Sequence, residues 1–334
     1  MRRQRMRHSS AAVTVVAALL AAGWAATPAA AHTGAAPEAR AAWIKSCTDK
    51  QDVSYPCGQW RLIMRDGRTV TVPGAAAAAT DGKGVPQYQE APFAVSGDGR
   101  WIAYLRASDH RLVVRRAAGG RVTALPKSLT PKASGTMDLT LRLSPRGDRI
   151  AIDHTDGNKP GKIVTVRTGA TVNLPADDVP QAFSSDGDEL LATRNLTDNT
   201  TALVVHHTDG RPPLRRTPPQ VIGAAGVYAL AADGRNLAAL IPGDYDGVKP
   251  PKLREYDLTS GEMGPSLKLA APKGYVPAVA SYDRDGGLGV LFYQGESGTG
   301  HALSAGVDTS AGTLTKRDRY TISAARYAAR LAGE

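Results

Sequence analysis

The chain has 334 residues and a formal net charge of +10, with 42% hydrophobic and 5% aromatic residues. Four of its 41 basic residues and none of its 31 acidic residues lie in residues 1–31, so the remainder carries only about +6. This modest excess, with no aromatic residues interleaved in the local basic clusters, argues against a nucleic-acid-binding protein.

The first 31 residues have the pattern of a secretory signal peptide. MRRQRMRHSS carries four arginines and no acid, and the apolar stretch AAVTVVAALLAAGWAA that follows is too short to anchor in a bilayer. Ala29 and Ala31 fit a cleavage site, so we expect the exported chain to start near His32. No later segment is apolar for long enough to be a transmembrane anchor. The sequence therefore predicts a secreted, extracellular monomer.

The two cysteines of the chain lie close together in an N-terminal segment, residues 32–57. Cys47 and Cys57 begin and end the sequence CTDKQDVSYPC. In an oxidising compartment we expect a disulfide that closes a small loop, and two unpaired thiols are the alternative. Without a second cysteine pair or a neighbouring histidine cluster, the pattern does not support a structural zinc site.

The next two segments differ in pattern. Residues 58–73, GQWRLIMRDGRTVTVP, alternate around an Asp66-Gly67 turn and predict a β-hairpin. Residues 74–90, GAAAAATDGKGVPQYQE, are rich in alanine and glycine and predict a flexible crossing.

A turn then recurs along the chain. It first appears in FAVSGDGRWIAY, residues 93–104, where Ser-Gly-Asp-Gly-Arg separates two short apolar runs. Glycine accepts a positive φ there, and the serine and aspartate side chains can hydrogen-bond the turn amides. Each copy is followed by a second pair of alternating strands, and the copies are spaced by roughly 40–50 residues, the period of a propeller blade. The turn glycines are Gly99, Gly147, Gly187, Gly234 and Gly286.

Five such units and the hairpin at 58–73 predict an all-β protein, a six-bladed β-propeller of four-stranded antiparallel blades over residues 58–322. The first half of the incomplete blade must come from the cysteine segment or from the C-terminus, where a borrowed strand would close the ring. The tail, residues 323–334, predicts a short amphipathic helix or a frayed end.

The repeated pattern S-x-D-G-x-x-apolar-A-apolar resembles the WD40-like repeat of TolB-type β-propellers, which also occurs in the propeller of prolyl oligopeptidases. The resemblance covers nearly all of the chain after the signal peptide and implies the fold, but propellers host unrelated activities. The domain that TolB carries before its propeller is not expected here, so the resemblance does not imply TolB's periplasmic partner. GESGTG at 295–300 is not a nucleophile elbow, because its second glycine is misplaced.

No motif for a catalytic, cofactor or metal site stands out. His206 and His207 are adjacent in a predicted strand, so they should point to opposite faces. Residues 244–247 and 283–286 resemble the start of a calcium loop but lack its third aspartate and distal glutamate. Aspartate-rich β-turns explain both segments. We therefore predict no cofactor and no metal.

The leading functional hypothesis is an exported, non-catalytic scaffold that binds another extracellular or cell-envelope protein, because the repeats leave no domain for chemistry. The loops that precede the innermost strands form the candidate binding face, marked by Tyr88, Asp138 and Asp178. The alternative is an enzyme at the channel mouth that acts on polysaccharide or another extracellular substrate. That alternative predicts carboxylates, histidine and aromatic residues converging on the axis. A small-ligand or metal sensor is a third hypothesis, and it predicts a ligand-dependent rise in melting temperature.

Overall fold

The computed structural model describes residues 37–130, 135–157, 159–244, 248–295 and 298–334. These residues form six four-stranded sheets and one two-stranded sheet. The prediction of an all-β, six-bladed propeller with four-stranded antiparallel blades is confirmed. The predicted signal peptide, residues 1–31, lies outside the described residues.

Strands make up most of the regular structure. In chain order they are β1 (Ala39–Thr48), β2 (Ser54–Met64), β3 (Thr69–Thr71), β4 (Ala78–Thr80), β5 (Pro86–Glu90), β6 (Phe93–Val95), β7 (Trp101–Leu105), β8 (Leu112–Arg116), β9 (Val122–Ala124), β10 (Leu139–Leu143), β11 (Arg149–His154), β12 (Gly161–Thr165), β13 (Thr171–Leu174), β14 (Val179–Phe183), β15 (Glu189–Asn195), β16 (Thr201–His207), β17 (Leu214–Arg216), β18 (Val227–Leu230), β19 (Asn236–Ile241), β20 (Lys252–Asp257), β21 (Leu267–Lys268), β22 (Val276–Tyr282), β23 (Leu288–Gln294), β24 (Gly300–Val307), β25 (Leu314–Ile322) and β26 (Arg326–Leu331). A four-residue helix, α1 (Gln220–Gly223), and a 3-10 turn at Lys127–Leu129 accompany them. Among the described residues, no helix is both long enough and apolar enough to cross a bilayer.

Blades 2 to 6 are meanders in which consecutive strands pair antiparallel. They contain β6–β9, β10–β13, β14–β17, β18–β21 and β22–β25 respectively. The first strand of each blade is innermost, and a parallel bridge between Ser184 and Leu230 joins the inner ends of blades 4 and 5.

Blade 1 is built from segments that are far apart in the sequence. Its strand order is β26-β1-β2-β3, so β26 is the innermost strand. Ala41 pairs with Leu331 and Ile44 pairs with Ala328. Both sources considered for the missing half-blade therefore contribute, and the propeller extends beyond residues 58–322 at both ends.

The expectation of a helix or a frayed end at residues 323–334 is wrong. The segment RYAARL is compatible with a helix by local propensity, but β1 offers it an unpaired row of backbone donors and acceptors. Pairing with β1 satisfies that row, so tertiary context overrides the local preference.

Residues 74–90 contain a hairpin rather than a flexible crossing. Ala78 pairs with Glu90 across β4 and β5. Asp81 Oδ1 accepts hydrogen bonds from the backbone N–H groups of Lys83 (2.9 Å) and Val85 (2.8 Å), which closes the turn. The hairpin is an insertion between the last strand of blade 1 and the first strand of blade 2.

The turn between the first two strands of blade 2 works as the sequence predicts. Ser96 Oγ donates to Asp98 Oδ1 (2.6 Å) and accepts from the N–H of Trp101 (3.0 Å). Gly99 has φ +70°, and a Cβ at this position would collide with the carbonyl oxygen of Ala39. Glycine is therefore required both by the turn and by the close approach of blade 1.

Blades 1 and 2 share an aromatic core. Trp60 is fully buried, and its ring stacks on Phe93 with the centroids 4.4 Å apart. Phe93 also stacks on Tyr104 at 5.9 Å. Trp60 Nε1 donates to the carbonyl of Ala76 (3.0 Å), so the indole fills space and satisfies a backbone acceptor at once.

The predicted disulfide is confirmed. Cys47 on β1 and Cys57 on β2 are bonded, and their Cα atoms are 5.8 Å apart. The bond lies near the tip of the hairpin formed by these two long strands, where Cys47 pairs with Tyr55. It therefore crosslinks the two strands close to the turn that joins them.

Replacing both Cys47 and Cys57 with serine is expected to lower the free energy of unfolding by about 2–3 kcal/mol, because the crosslink restricts the unfolded chain. Urea unfolding of the double variant beside the oxidised protein measures the loss. An unchanged midpoint would contradict the prediction and show that strand pairing alone fixes the hairpin tip.

Candidate functional site

The ring has two ends with different connections. The turn face carries the turns between the first and second strands of each blade, such as residues 96–100. The loop face carries the connections between successive blades and those between second and third strands, because alternate connections of an antiparallel meander lie at opposite ends. Tyr88, Asp138 and Asp178 all precede innermost strands, so all three belong to loop-face segments.

Tyr88 lies on β5 of the inserted hairpin and is 55% exposed. Its hydroxyl donates to Asp49 Oδ2 (2.7 Å), at the tip of the disulfide-linked hairpin. Its ring meets Tyr55 edge-on with centroids 6.3 Å apart. Tyr327, on β26, donates its hydroxyl to the carbonyl of Tyr88. Tyr55, Tyr88 and Tyr327 form what is called below the tyrosine cluster, and it joins three separate segments of the chain.

The pKa values of Asp49 and Tyr88 are shifted in the directions that favour the hydrogen bond between them. The hydrogen bond from Tyr88 lowers the pKa of Asp49, and the same bond raises the pKa of Tyr88. Each group is therefore held in the form that makes the bond at neutral pH, a carboxylate and a protonated phenol. Asp49 Oδ1 also accepts from the N–H groups of Gln51 (2.8 Å) and Val53 (2.9 Å), which fixes the carboxylate in the hairpin tip.

Asp138 is brought next to the inserted hairpin. It is half-buried in the segment before β10, and its carbonyl accepts from the N–H of Thr155 (2.8 Å). The Gln89 side-chain amide donates to the carbonyl of the neighbouring Met137 (2.7 Å). Tyr88 and Asp138 therefore lie on adjoining segments of the loop face.

Asp178 does not present its side chain on this surface. It is fully buried, and Arg194 donates to its two oxygens at 2.5 and 2.7 Å. His206 Nε2 lies 2.8 Å from Asp178 Oδ2, whereas His207 Nδ1 lies 3.4 Å from Glu189 Oε1. The two histidines have different partners, in agreement with the prediction that they point to opposite faces of β16. Asp178 anchors the segment before β14.

The charge of Asp178 depends on its partners. Burial alone would raise the pKa of this carboxyl group, but the hydrogen bonds from His206 and Arg194 outweigh it, and the pKa lies below its ordinary value. Because the folded-state pKa is depressed, the stabilisation is complete above the unfolded-state pKa. It is lost as the pH falls through the folded-state pKa.

Asp178→Asn is expected to lower the free energy of unfolding at pH 7 by about 2–3 kcal/mol, because Arg194 and His206 lose their buried carboxylate partner. The deficit relative to wild type should begin to shrink below pH of about 3.9, where the unfolded chain takes up a proton at Asp178, and it should vanish once the pH falls through the depressed folded-state pKa. Urea unfolding at pH 7 and pH 3 measures both effects. Asp177→Asn, at the exposed neighbouring residue, is the matched control and should change little. An equal deficit at both pH values would contradict the linkage.

Two described side chains at the channel axis, Tyr228 and Glu334, could take part in acid–base chemistry. A cavity of about 80 Å³ near the middle of the axis is lined by Arg142, Gln181, Tyr228 and Glu334, among others. Tyr228 donates to the carbonyl of Ile222 (2.7 Å), and burial raises its pKa to about 12. Glu334 Oε2 accepts from the N–H of Leu331. In the parts of the chain that the structure describes, no three metal-ligating side chains converge.

The calcium-like segments behave as turns where they are described. Asp283 Oδ1 accepts from the N–H groups of Asp285 (3.1 Å) and Gly287 (2.7 Å). Asp244 Oδ1 accepts from the N–H of Lys249 (2.9 Å), and residues 245–247 lie outside the described residues.

Sequence reasoning named Tyr88 as a candidate but did not name the residues that contact it. Asp49, Tyr55 and Tyr327 lie in the cysteine loop and in the tail, and only closure of the ring brings them to Tyr88. The available signal was Tyr327, an aromatic residue in a segment of alanines and arginines that a frayed end would leave unpacked.

No protein-family model and no curated protein matches the sequence. Similar solved structures include a nidogen/laminin complex, with 11% identity and a TM-score of 0.48 over 89% of this chain and 98% of that chain. TolB from Acinetobacter baumannii has 15% identity and a TM-score of 0.46 over 87% of this chain, which spans 65% of that protein. A TolB protein from Agrobacterium tumefaciens has 12% identity and a TM-score of 0.44 over 85% and 90%. The chain is a six-bladed β-propeller with TolB proteins among its structural neighbours, and at these identities the likeness concerns the fold alone.

Proposed function

We propose that the protein is an exported, non-catalytic propeller scaffold that binds another extracellular or cell-envelope protein through the tyrosine cluster on its loop face. The observation that carries the proposal is Tyr88, whose ring is held by Asp49 and Tyr55 and is nevertheless 55% exposed. Tyrosine is enriched at the centres of protein interfaces because its large ring offers contact area and its hydroxyl can hydrogen-bond. Its side chain also loses little conformational entropy on binding.

The surroundings of the cluster suit an interface. Val53 and Val85 are 45% and 52% exposed in the turns of the two hairpins that meet at Tyr88. Gln51 in one turn and Lys83 in the other add exposed polar side chains near these valines. An exposed apolar centre with a polar border is the usual composition of a protein-binding surface.

The cluster is also held rigidly. The Cys47–Cys57 disulfide, the Asp49 carboxylate and the strand β26 constrain its three segments. A surface already fixed in its bound form loses less side-chain entropy on association, which favours affinity. The disulfide and the N-terminal sequence pattern both favour an oxidising, extracellular compartment.

Chemical crosslinking and affinity capture from the native cells, read by mass spectrometry, test the proposal. The affinity tag should be inserted after the exposed Gly210 rather than at the C-terminus, because Gly333 and Glu334 line the channel. Wild type is compared with Tyr88→Ala, and Met263→Ala, at a 40% exposed apolar residue away from the cluster, is the matched control.

The proposal expects one protein in near-equal amount with wild type and Met263→Ala, and its loss with Tyr88→Ala. A melting temperature of Tyr88→Ala close to that of wild type shows that the fold is intact. Equal capture by all three proteins, or no capture above background, would contradict binding at the tyrosine cluster.

A further inference from the structure

A second cavity opens on the turn face, at the opposite end of the ring from the tyrosine cluster. It has a volume of about 340 Å³, and five of the six blades contribute to its walls. Its rim includes the turns at residues 97–98, 145–146 and 282–284. The volume is in the range of small-molecule sites, roughly 300–1,000 Å³.

The turn-face cavity has more positively charged than negatively charged side chains in its lining. Five arginines and three aspartates line it, which leaves a net charge of +2. The arginines are Arg40, Arg65, Arg146, Arg284 and Arg317, and the aspartates are Asp98, Asp283 and Asp318.

Three of the arginines already have carboxylate partners. Arg40 donates to both oxygens of Asp318, at 2.6 and 2.8 Å. Arg65 Nε lies 2.9 Å from Glu38 Oε2 and its Nη1 lies 4.0 Å from Asp318, and Arg317 Nη2 lies 3.4 Å from Asp283. These pairs form a fixed wall whose charge is largely neutralised.

Arg146 and Arg284 carry the excess. Neither makes a hydrogen bond or an ion pair with any residue in the described ranges, and both are exposed at the rim. They belong to blades 3 and 6, which lie opposite each other in a six-membered ring. Two guanidinium groups without partners therefore reach one cavity from opposite walls, each with planar donors that match a carboxylate or phosphate.

The remaining lining is mostly apolar. Val279, Val290 and Leu291 form one wall, and Ala332 lies at the inner end. Gly333, the next residue, hydrogen-bonds through its N–H to the carbonyl of Val95 (3.0 Å). A ligand in this cavity would therefore contact apolar side chains as well as the two arginines.

We propose that the turn-face cavity binds a small polyanion, a molecule with two or more carboxylate or phosphate groups, and that Arg146 and Arg284 hold its charged ends. Concave sites with an excess of one charge concentrate ligands of the opposite charge. Arginine pairs with both oxyanion types through two parallel hydrogen bonds, so the two chemistries share this mode of recognition.

Isothermal titration calorimetry of the full chain tests the proposal, with inorganic pyrophosphate and citrate as separate probes at one low ionic strength. One-to-one binding is expected for at least one probe. Arg146→Gln and Arg284→Gln should each weaken it by about tenfold or more, the effect of losing hydrogen bonds to a charged group. Arg215→Gln, at an exposed arginine of β17 that lies outside the cavity, is the matched control and should bind as wild type does.

Binding of pyrophosphate alone would identify a phosphate ligand, and binding of citrate alone would identify a polycarboxylate; either result supports the site. The absence of binding by both probes would overturn the proposal. An equal loss with Arg215→Gln would also overturn it, since that result indicates attraction to general surface charge. Melting temperatures of the three variants establish that each is folded, and the outcome is independent of Tyr88.

Discussion

A chain that ends at Ile322 is expected to lose cooperative folding. The missing segment contains β26, the innermost strand of blade 1, and its removal leaves β1 as an unpaired edge facing the channel. The ion pair between Arg330 and Glu90 (2.6 Å) and the contact of Tyr327 with the inserted hairpin are lost as well. The combined loss should exceed about 5 kcal/mol, which is comparable with the whole stability of many domains. Thermal unfolding followed by circular dichroism, with size-exclusion chromatography, measures the result.

Addition of the missing strand in trans provides the control. A synthetic peptide of residues 323–334 should restore a melting transition by adding a strand to the open edge. The same peptide with Ala328→Pro and Ala329→Pro should fail, because proline cannot donate to the ladder. A truncated chain that melts cooperatively at the wild-type temperature would show that β26 is dispensable for the ring.

Trp60→Ala is expected to lower the free energy of unfolding by about 3–5 kcal/mol, the cost of deleting a large aromatic side chain from a packed core. Trp60 is fully buried and stacks on Phe93, so the cavity would lie between blades 1 and 2. The carbonyl of Ala76 would also lose its indole donor. Urea denaturation at neutral pH measures the change.

Two further variants separate these contributions. Trp60→Phe keeps much of the apolar area but removes the donor to Ala76, so it should cost about 1–3 kcal/mol. Trp43→Ala, at a half-buried tryptophan beside Arg61, should cost less than Trp60→Ala. A loss below about 1 kcal/mol for Trp60→Ala would mean that the two blades close over the cavity.

Blades 2 to 6 could be predicted because each is specified locally. The turn at residues 96–100 needs a glycine at positive φ, and such a glycine recurs at this turn in blades 2 to 6. The serine whose hydroxyl accepts from a turn amide recurs in blades 2 to 4. Blade 1 could be predicted only in part. Its innermost strand, Arg326–Leu331, has a pattern that suits a helix as well as a strand, and its partner β1 is remote in sequence.

The candidate site, too, could be predicted only in part. Topology alone places Tyr88 and Asp178 before innermost strands, so their position was predictable. Their exposure was not, since it depends on neighbours from other strands. Arg194 and His206 contact the buried Asp178, whereas Tyr88 hydrogen-bonds to Asp49 at a hairpin tip and remains exposed to solvent.

The closure of blade 1 also has a consequence for the order in which the chain folds. Ala41 and Leu331 are paired neighbours although 290 positions separate them, whereas the strands of blades 2 to 6 pair with the next strand along the chain. Folding slows as contacts become more distant in sequence, because loop-closure entropy must be lost before the contact forms. The five local blades can therefore form early, and the last step is the pairing of the six-residue strand β26 with β1. The lifetime of the open ring, with its exposed inner edge, is set by that single step, so the chance of aggregation during folding is concentrated there.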